Sequence, residues 1–533
     1  MQNINRLKTI SLIVPLVVFV ISVFTLEFTI RRETGRVIYP IDDAYIHLAM
    51  ARHFAADGML GVSQAGFSAA TSSPGWTLLL GFSIRLFGNH AFLPLFYNCL
   101  FAAMVVIWLT VFLQTILQNA FHTAISLVFM IFVLPLPTLT CTGMEHPLHI
   151  LLIILLVTRT VGLLATKERR ISIAELFLLG MMATLVRYET VFVVMPLCLL
   201  LLVHGKKHYI VALVGSCALP IVLFGVLYVL HDWFFLPTSI LKKSAMQNPG
   251  WSIFGDLFNR LFGQLFGERH IVVPFLLVLV SFLWKLRNGD AWTTAAGLFD
   301  FVFLTACMLH CSCASLGWFY RYEGYLLTLG FMALTPLLRD ALSAAKPIWA
   351  NPTPFAERWL VRGILIAVAL LFLVPFSHQV KSIGLIVPGA RNLFSQQYQM
   401  GLFLREFYEG KTIVANDIGV INYLADIRCL DLMGLGSVEP LRAAFDDIFS
   451  PVFVHNWCMK EDAVIAVVYE SWWRGLLPPH WRKVGEWTVN EKVTVADPTV
   501  SFYAIPSSEI DPLKIRLSEF RKKLPAGVSV NLF

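Results

Sequence analysis

Asp42 and Asp43 stand side by side in IYPIDDAYIHLAMARHF, just past the first membrane-length apolar run of this 533-residue chain. A carboxylate beside a bilayer is costly unless it meets water, a partner or a ligand, so an adjacent pair points to use. One such group can take the proton of an attacking hydroxyl. Carboxylates this close raise one another's pKa, which leaves the second as a hydrogen-bond partner or a holder of a metal ion. Asp42 takes slight precedence as the base. The competing reading is a helix cap, in which a carboxylate accepts the orphan N–H groups at the start of AYIHLAMARHF. Capping explains one carboxylate and leaves the other unexplained.

Moving a group from a phosphate to a hydroxyl also needs positive charge near the phosphate. Arg187, Arg321, Lys242 and Lys243 are the candidates, arginine where a two-pronged fork is needed and lysine as a point charge. Long basic side chains at span ends also snorkel toward lipid headgroups without further role. Tyr322 follows Arg321 in WFYRYEGY and joins the binding set. Glu145 and Glu189 can bind the hydroxyls of a ligand or pair with these bases, and Arg187, two residues before Glu189, favours pairing there. His47 lies about one helical turn beyond the aspartates and shares their face, although a lone His there more often serves structure. His310, Cys311 and Cys313 in HCSCAS make a poor zinc signature without a second ligand pair.

The elements that must hold these residues are membrane spans. The chain is 57% apolar and 14% charged, with a mean hydropathy of +0.70 and repeated apolar runs of about 20 residues. The net charge of +7 resides largely in short loops, which argues for orientation during insertion rather than nucleic-acid binding. The run 10–30 follows Arg6 and Lys8 without a small-residue cleavage site and reads as a retained anchor with a cytoplasmic N-terminus. Further spans are expected near 91–118, 120–138, 147–166, 171–186, 190–204, 209–231, 270–286, 292–310, 323–338 and 362–377, about eleven in all. This count puts TKERR, HGKKH, WKLRNG and the Arg339 to Arg362 segment with Lys346 and Arg358 on the inside, as the positive-inside rule requires. PGWTLLLGFSIRL, at 74–86, is too short to span comfortably and reads as an interfacial helix.

With that topology TGMEHP, VRYET, LPTSILKKSAMQ and WFYRYEGY join the aspartates on the outer side, each at a span end where polar groups can converge on one cavity. Beyond about residue 378 long apolar runs give way to shorter patches. KTIVANDIGVINYLADIRCLDLMGL reads as strand, turn, helix, strand, with further strands at AVIAVV, KVGEWTV and SFYAI, in a small soluble α/β domain. The expected fold class is therefore a polytopic α-helical membrane protein with a C-terminal extracytoplasmic α/β domain. Residues 1–377 form the membrane part, with a first outer loop over 31–90, and 378–533 the soluble domain. Cys429 and Cys458 are either a disulfide or two buried thiols.

In order along the chain, IDDAYIHLAMARHFAADG, GFSAATSSPGWTLLLG, TGMEHPLHILL and LVRYE resemble the GT-C superfamily of membrane glycosyltransferases, most nearly its arabinofuranosyltransferase-like branch. VANDIGVINYLADIRCLDLMGLG is similar to the extracytoplasmic domain that such proteins often carry. Two departures stand out: Arg187, Tyr188, Glu189 replace the more usual R-P-E, and Glu145, His146, Pro147 the usual E-T-P. The resemblance implies a polyprenyl-phosphate sugar donor, an acidic residue in the first outer loop, inversion at the anomeric carbon and a bacterial inner membrane. The expectation is a hexosyl- or pentosyltransferase adding a sugar to an envelope glycan, lipid or protein on the extracytoplasmic face. A divalent metal ion is the one cofactor to consider. The alternatives are a transporter or flippase of lipid-linked glycans, which should show two similar halves, and a non-catalytic assembly subunit.

Overall fold

The computed structural model describes residues 2–165, 171–243, 252–350, 373, 376–377 and 380–533. Among the described residues seven helices are long and apolar enough to cross a membrane: Thr9–Thr34, Leu93–Leu117, His146–Ala165, Lys207–Leu230, Arg269–Arg287, Ala295–Cys313 and Gly324–Ser343. Three shorter apolar helices, Ala120–Val133, Ile173–Val186 and Tyr188–Val203, occupy three more of the expected positions. The chain is a multi-pass membrane protein. The expected span at 362–377 falls largely outside the described residues, as do the basic TKERR segment, Arg358, residues 244–247 and the expected domain boundary.

Apolar residues face both ways on these helices. Val20, Phe24 and Phe28 of the first are exposed while Phe19, Val23 and Ile30 are buried, as expected for a helix with lipid on one side and protein on the other. Between the first two long helices lie two short ones, Asp43–Asp57 and Pro74–Phe87. The first ends at Gly58, whose φ of 74° suits the residue that closes a helix. The second begins with Pro at its first position and covers the expected interfacial stretch.

The C-terminal part is built on a six-stranded sheet in the order β2-β1-β3-β5-β4-β6. Its strands are β1 (Thr412–Ala415), β2 (Arg428–Asp431), β3 (Ala463–Val468), β4 (Arg482–Val489), β5 (Thr499–Ala504) and β6 (Val528–Leu532). β1 pairs parallel with β2 and β3, and the remaining pairs are antiparallel. AVIAVV is an unbroken apolar run because β3 is covered on both faces. One face packs Phe403, Trp487, Phe502 and Phe520 into a single aromatic cluster, with Trp487 4.5 Å from Phe502 and stacked on Phe520 at 5.6 Å. The other face packs Val414, Leu430, Val454, Trp457 and Tyr503.

That division settles the cysteines. Cys429 belongs to the core that continues into the membrane bundle and Cys458 to the core on the opposite face of the sheet. The disulfide is corrected to two buried free thiols.

Trp487→Ala removes the centre of the aromatic cluster and should destabilise the sheet by about 3 to 5 kcal/mol. The expected result is a lower midpoint of thermal unfolding for the full chain in detergent.

Candidate active site

Asp43 opens the Asp43–Asp57 helix, and its side chain keeps 43% of its surface accessible. Its Oδ2 accepts a hydrogen bond from Arg321 Nη2 at 2.5 Å. The same Nη2 donates to Tyr322 Oη at 2.7 Å, and the guanidinium lies over the Tyr322 ring, 4.8 Å from its centroid. Arg321 is only 3% exposed, and its Nε and Nη1 are buried without a hydrogen-bond partner. Of the three guanidinium nitrogens at the edge of a cavity, one is engaged and two are idle, an arrangement that suits an anion.

The loop that delivers Arg321 is bent hard. Trp318, Phe319 and Tyr320 all take left-handed φ values of 50°, 66° and 55°, a conformation costing about 1 to 2 kcal/mol per residue. Buried Glu323 clamps it. Its two oxygens accept from the Gly317 N–H at 3.1 and 3.0 Å, and Oε1 lies 3.0 Å from His270 Nε2.

Arg187 is a second buried hub. Its Nη1 donates to Glu145 Oε1 at 2.5 Å, Nε donates to Glu189 Oε2 at 3.2 Å, and Nη2 bonds Glu189 Oε1. The fork is thus committed to two carboxylates, so Arg187 positions them. Fully buried Glu145 has one oxygen, Oε2, without a hydrogen bond, 3.7 Å from His47 Nε2. The other His47 nitrogen, Nδ1, lies 2.9 Å from Thr77 Oγ1. Burial pushes the His47 imidazole down from its usual pKa.

Asp42 lies elsewhere. Its two oxygens accept the backbone N–H groups of Gly419 and Val420, both at 2.8 Å, so that it caps Val420–Leu424 and makes no cap of its own helix. The approach is close enough to require glycine, because a Cβ on Gly419 would fall 2.3 Å from the Asp42 carbonyl oxygen. Loss of water and the neighbouring Asp417 carboxylate raise Asp42 from 3.8 to about 8, against the two N–H bonds. The carboxylate pair is therefore split: Asp42 fastens the first loop to the C-terminal domain, and Asp43 faces the cavity.

That cavity, about 310 Å³, is lined by Asp43, His47, Lys242, Trp318, Arg321 and Leu435 among others. A second, of about 140 Å³, is lined by Arg187, Tyr188, Glu189 and Phe192. Ser72, Ser239 and Tyr322 line both, so the two form one groove at the end of the bundle that carries the sheet domain. Thr238 fixes the Lys242 helix by bonding the Ala69 and Leu435 carbonyls. The Lys243 side chain lies outside the described residues.

Sequence reasoning missed Ser72, Ser239, Trp318 and Leu435 as lining residues. The first three lie in segments singled out for other reasons, but Leu435 reaches the cavity only through tertiary folding. Its loop wraps the Asp431 carboxylate, which accepts the N–H groups of Met433, Leu435 and Gly436. His310 is spent on Tyr325 Oη and the Ser315 carbonyl, 2.9 and 3.1 Å away. Among the described residues no three His, Cys, Asp or Glu side chains are grouped to hold a metal ion. With Asp42 on backbone N–H groups and Asp43 on Arg321, the aspartate pair does not fit a metal site.

The crystal structure of ArnT from Cupriavidus metallidurans bound to undecaprenyl phosphate matches this structure with a TM-score of 0.51 at 13% identity. The match covers 92% of this chain and 98% of that one, and the apo form gives the same values. The apo oligosaccharyltransferase of Archaeoglobus fulgidus matches with a TM-score of 0.52 at 10% identity, over 94% of this chain and 75% of that one. The chain shares the fold of these two proteins. Residues 391–503 match a domain of unknown function, DUF8728. No curated protein matches the chain. The matched stretch contains both Gly419, which holds Asp42, and Leu435, which lines the cavity.

Because docking raises the Asp42 pKa, the docked state favours the neutral acid. The stability it contributes is full below about pH 4 and is lost as pH rises to about 8, above which the profile is flat. Asp42→Asn should remove this component. Thermal midpoints of the full chain and the variant, compared between about pH 5 and 9, should converge or cross as pH rises; parallel profiles would contradict the assignment.

Proposed function

We propose that this protein is an inverting glycosyltransferase that moves a sugar from a polyprenyl-phosphate donor to a glycan, lipid or protein acceptor of the cell envelope. The observation that carries the reading is the half-exposed Asp43 carboxylate sharing a groove with the buried, partly unpartnered Arg321 guanidinium. The GT-C fold and the undecaprenyl phosphate bound to ArnT support the choice of a polyprenyl-phosphate donor.

In this mechanism the acceptor hydroxyl sits against the Asp43 oxygen. Its proton passes to Asp43 as the acceptor oxygen attacks the anomeric carbon from the side opposite the phosphate. The carbon–oxygen bond to the phosphate breaks, and its electron pair leaves with polyprenyl phosphate. Arg321 Nε and Nη1, with Lys242 across the cavity, compensate the charge that develops on the leaving phosphate. The proton on Asp43 returns to water after the product departs.

Arg187 has a different task, holding Glu189 at the groove wall, where its carboxylate suits sugar hydroxyls. Glu145 lies behind the site and, with His47 in the cavity wall, sets the angle of the Asp43–Asp57 helix. The groove lies on the extracytoplasmic face of a bacterial inner membrane, with the N-terminus cytoplasmic, residues 1–377 forming the membrane domain and 378–533 the extracytoplasmic one. The basic inner loops support that orientation.

Purified protein in nanodiscs should transfer sugar from at least one member of a panel of polyprenyl-phosphate sugars to envelope acceptors. Asp43→Asn should lower kcat by at least about 100-fold, the scale of a lost general base. Asp42→Asn, which keeps a group able to accept the Gly419 N–H, should retain most of the turnover. Loss in Asp42→Asn with retention in Asp43→Asn would reverse the assignment.

A further inference from the structure

The C-terminal domain places four large exposed apolar side chains between residues 445 and 459: Phe445 at 46%, Ile448 at 57%, Val452 at 68% and Met459 at 49% exposure. The apolar residues interleaved with them are already used. Phe449, Phe453 and Trp457 form a chain of ring contacts, and Phe449 reaches Trp473, all against the core on that face of the sheet. The exposed set is therefore a separate outward strip on the Val438–Phe445 and Pro451–Lys460 helices and the turn between them.

This strip starts where a lipid-facing helix ends. The Phe445 ring packs edge-on against Phe234 at 5.3 Å, and Arg442 donates to the Asp232 carbonyl. Both partners belong to the loop that follows Lys207–Leu230, a helix long and apolar enough to cross the membrane, whose Val229 and Leu230 are exposed. Phe235, in the same loop, is exposed as well. The apolar surface thus runs from the end of a span, across an aromatic contact, onto the soluble domain.

We propose that Phe445, Ile448 and Val452 insert into the interfacial layer of the bilayer and seat the C-terminal domain on the membrane. Continuity with the span identifies lipid, rather than a protein, as the partner, since a bilayer that covers Leu230 meets Phe445 next. Amphipathic surfaces of this kind lie with their apolar side at the boundary between headgroups and acyl chains. Asp446 and Asp447 lie exposed between Phe445 and Ile448, which keeps the seat at headgroup depth and makes it independent of anionic lipid. The loop between Phe234 and Thr238 leads directly to the helix carrying Lys242, which places the seat beside the groove. A lipid-linked donor would then meet the groove beside a domain already anchored at headgroup level.

Photolabelling tests this in the full chain, reconstituted into phosphatidylcholine vesicles that contain a diazirine-bearing phosphatidylcholine. Adducts are mapped by peptide mass spectrometry. The peptide spanning residues 445–452 should be labelled, as should the end of Lys207–Leu230. A double variant, Ile448→Asp with Val452→Asp, should lose labelling at that peptide severalfold while the span peptide keeps its own. Labelling confined to span peptides would overturn the proposal.

Discussion

Arg187 and Arg321 carry permanent positive charge at positions almost closed to water, and the structure around them is arranged to compensate it. Removing a guanidinium from water is repaid only by close, well-directed acceptors. Arg187 obtains them from Glu145 and Glu189, on two different connections between helices. Arg321 obtains one, Asp43, together with the Tyr322 hydroxyl and ring. The difference between a satisfied fork and a partly unsatisfied one separates the two roles. Arg187 holds carboxylates in place, whereas Arg321 keeps Nε and Nη1 without a partner, the capacity on which the proposed phosphate site rests.

The C-terminal domain takes part in this arrangement. Its Gly419 and Val420 amides hold Asp42, and its Leu435 closes one side of the cavity. Arg52 adds a further tie, pairing with Asp426 at 2.6 Å and donating to the Asn422 carbonyl. The helix that starts with Asp43 is thereby fixed from two sides, by the membrane bundle through His47 and Glu145 and by the sheet domain through Asp42 and Arg52. A side chain on a helix so held is fixed in place before any ligand arrives, which is the physical content of preorganisation.

Much of the fold is legible in the sequence because it rests on local pattern. Long apolar runs mark the membrane helices, and PGWTLLLGFSIRL forms the helix Pro74–Phe87. Five of the six strands announce themselves as short apolar runs. β6 does not, because VSVNL is an edge strand of alternating half-buried and exposed residues at the chain end. The site is legible only as a set of residue types. Nothing local distinguishes Asp42 from Asp43, since the N–H groups that claim Asp42 lie 377 and 378 residues away. The pairing of Arg187 with Glu189 follows from their spacing, but its bond to Glu145 depends on how two helices pack. Leu435 and the bent Trp318 to Tyr320 loop are likewise products of tertiary folding.

The central claim is that the donor phosphate binds at Arg321, opposite Asp43. A cryo-electron microscopy structure of the protein in nanodiscs with undecaprenyl phosphate tests it most directly. The account predicts phosphate density within hydrogen-bonding distance of Arg321 Nε or Nη1 and near the Lys242 ammonium, with Asp43 left facing the open part of the groove. Phosphate density held by other residues, with Arg321 still bound only to Asp43 and Tyr322, would contradict it.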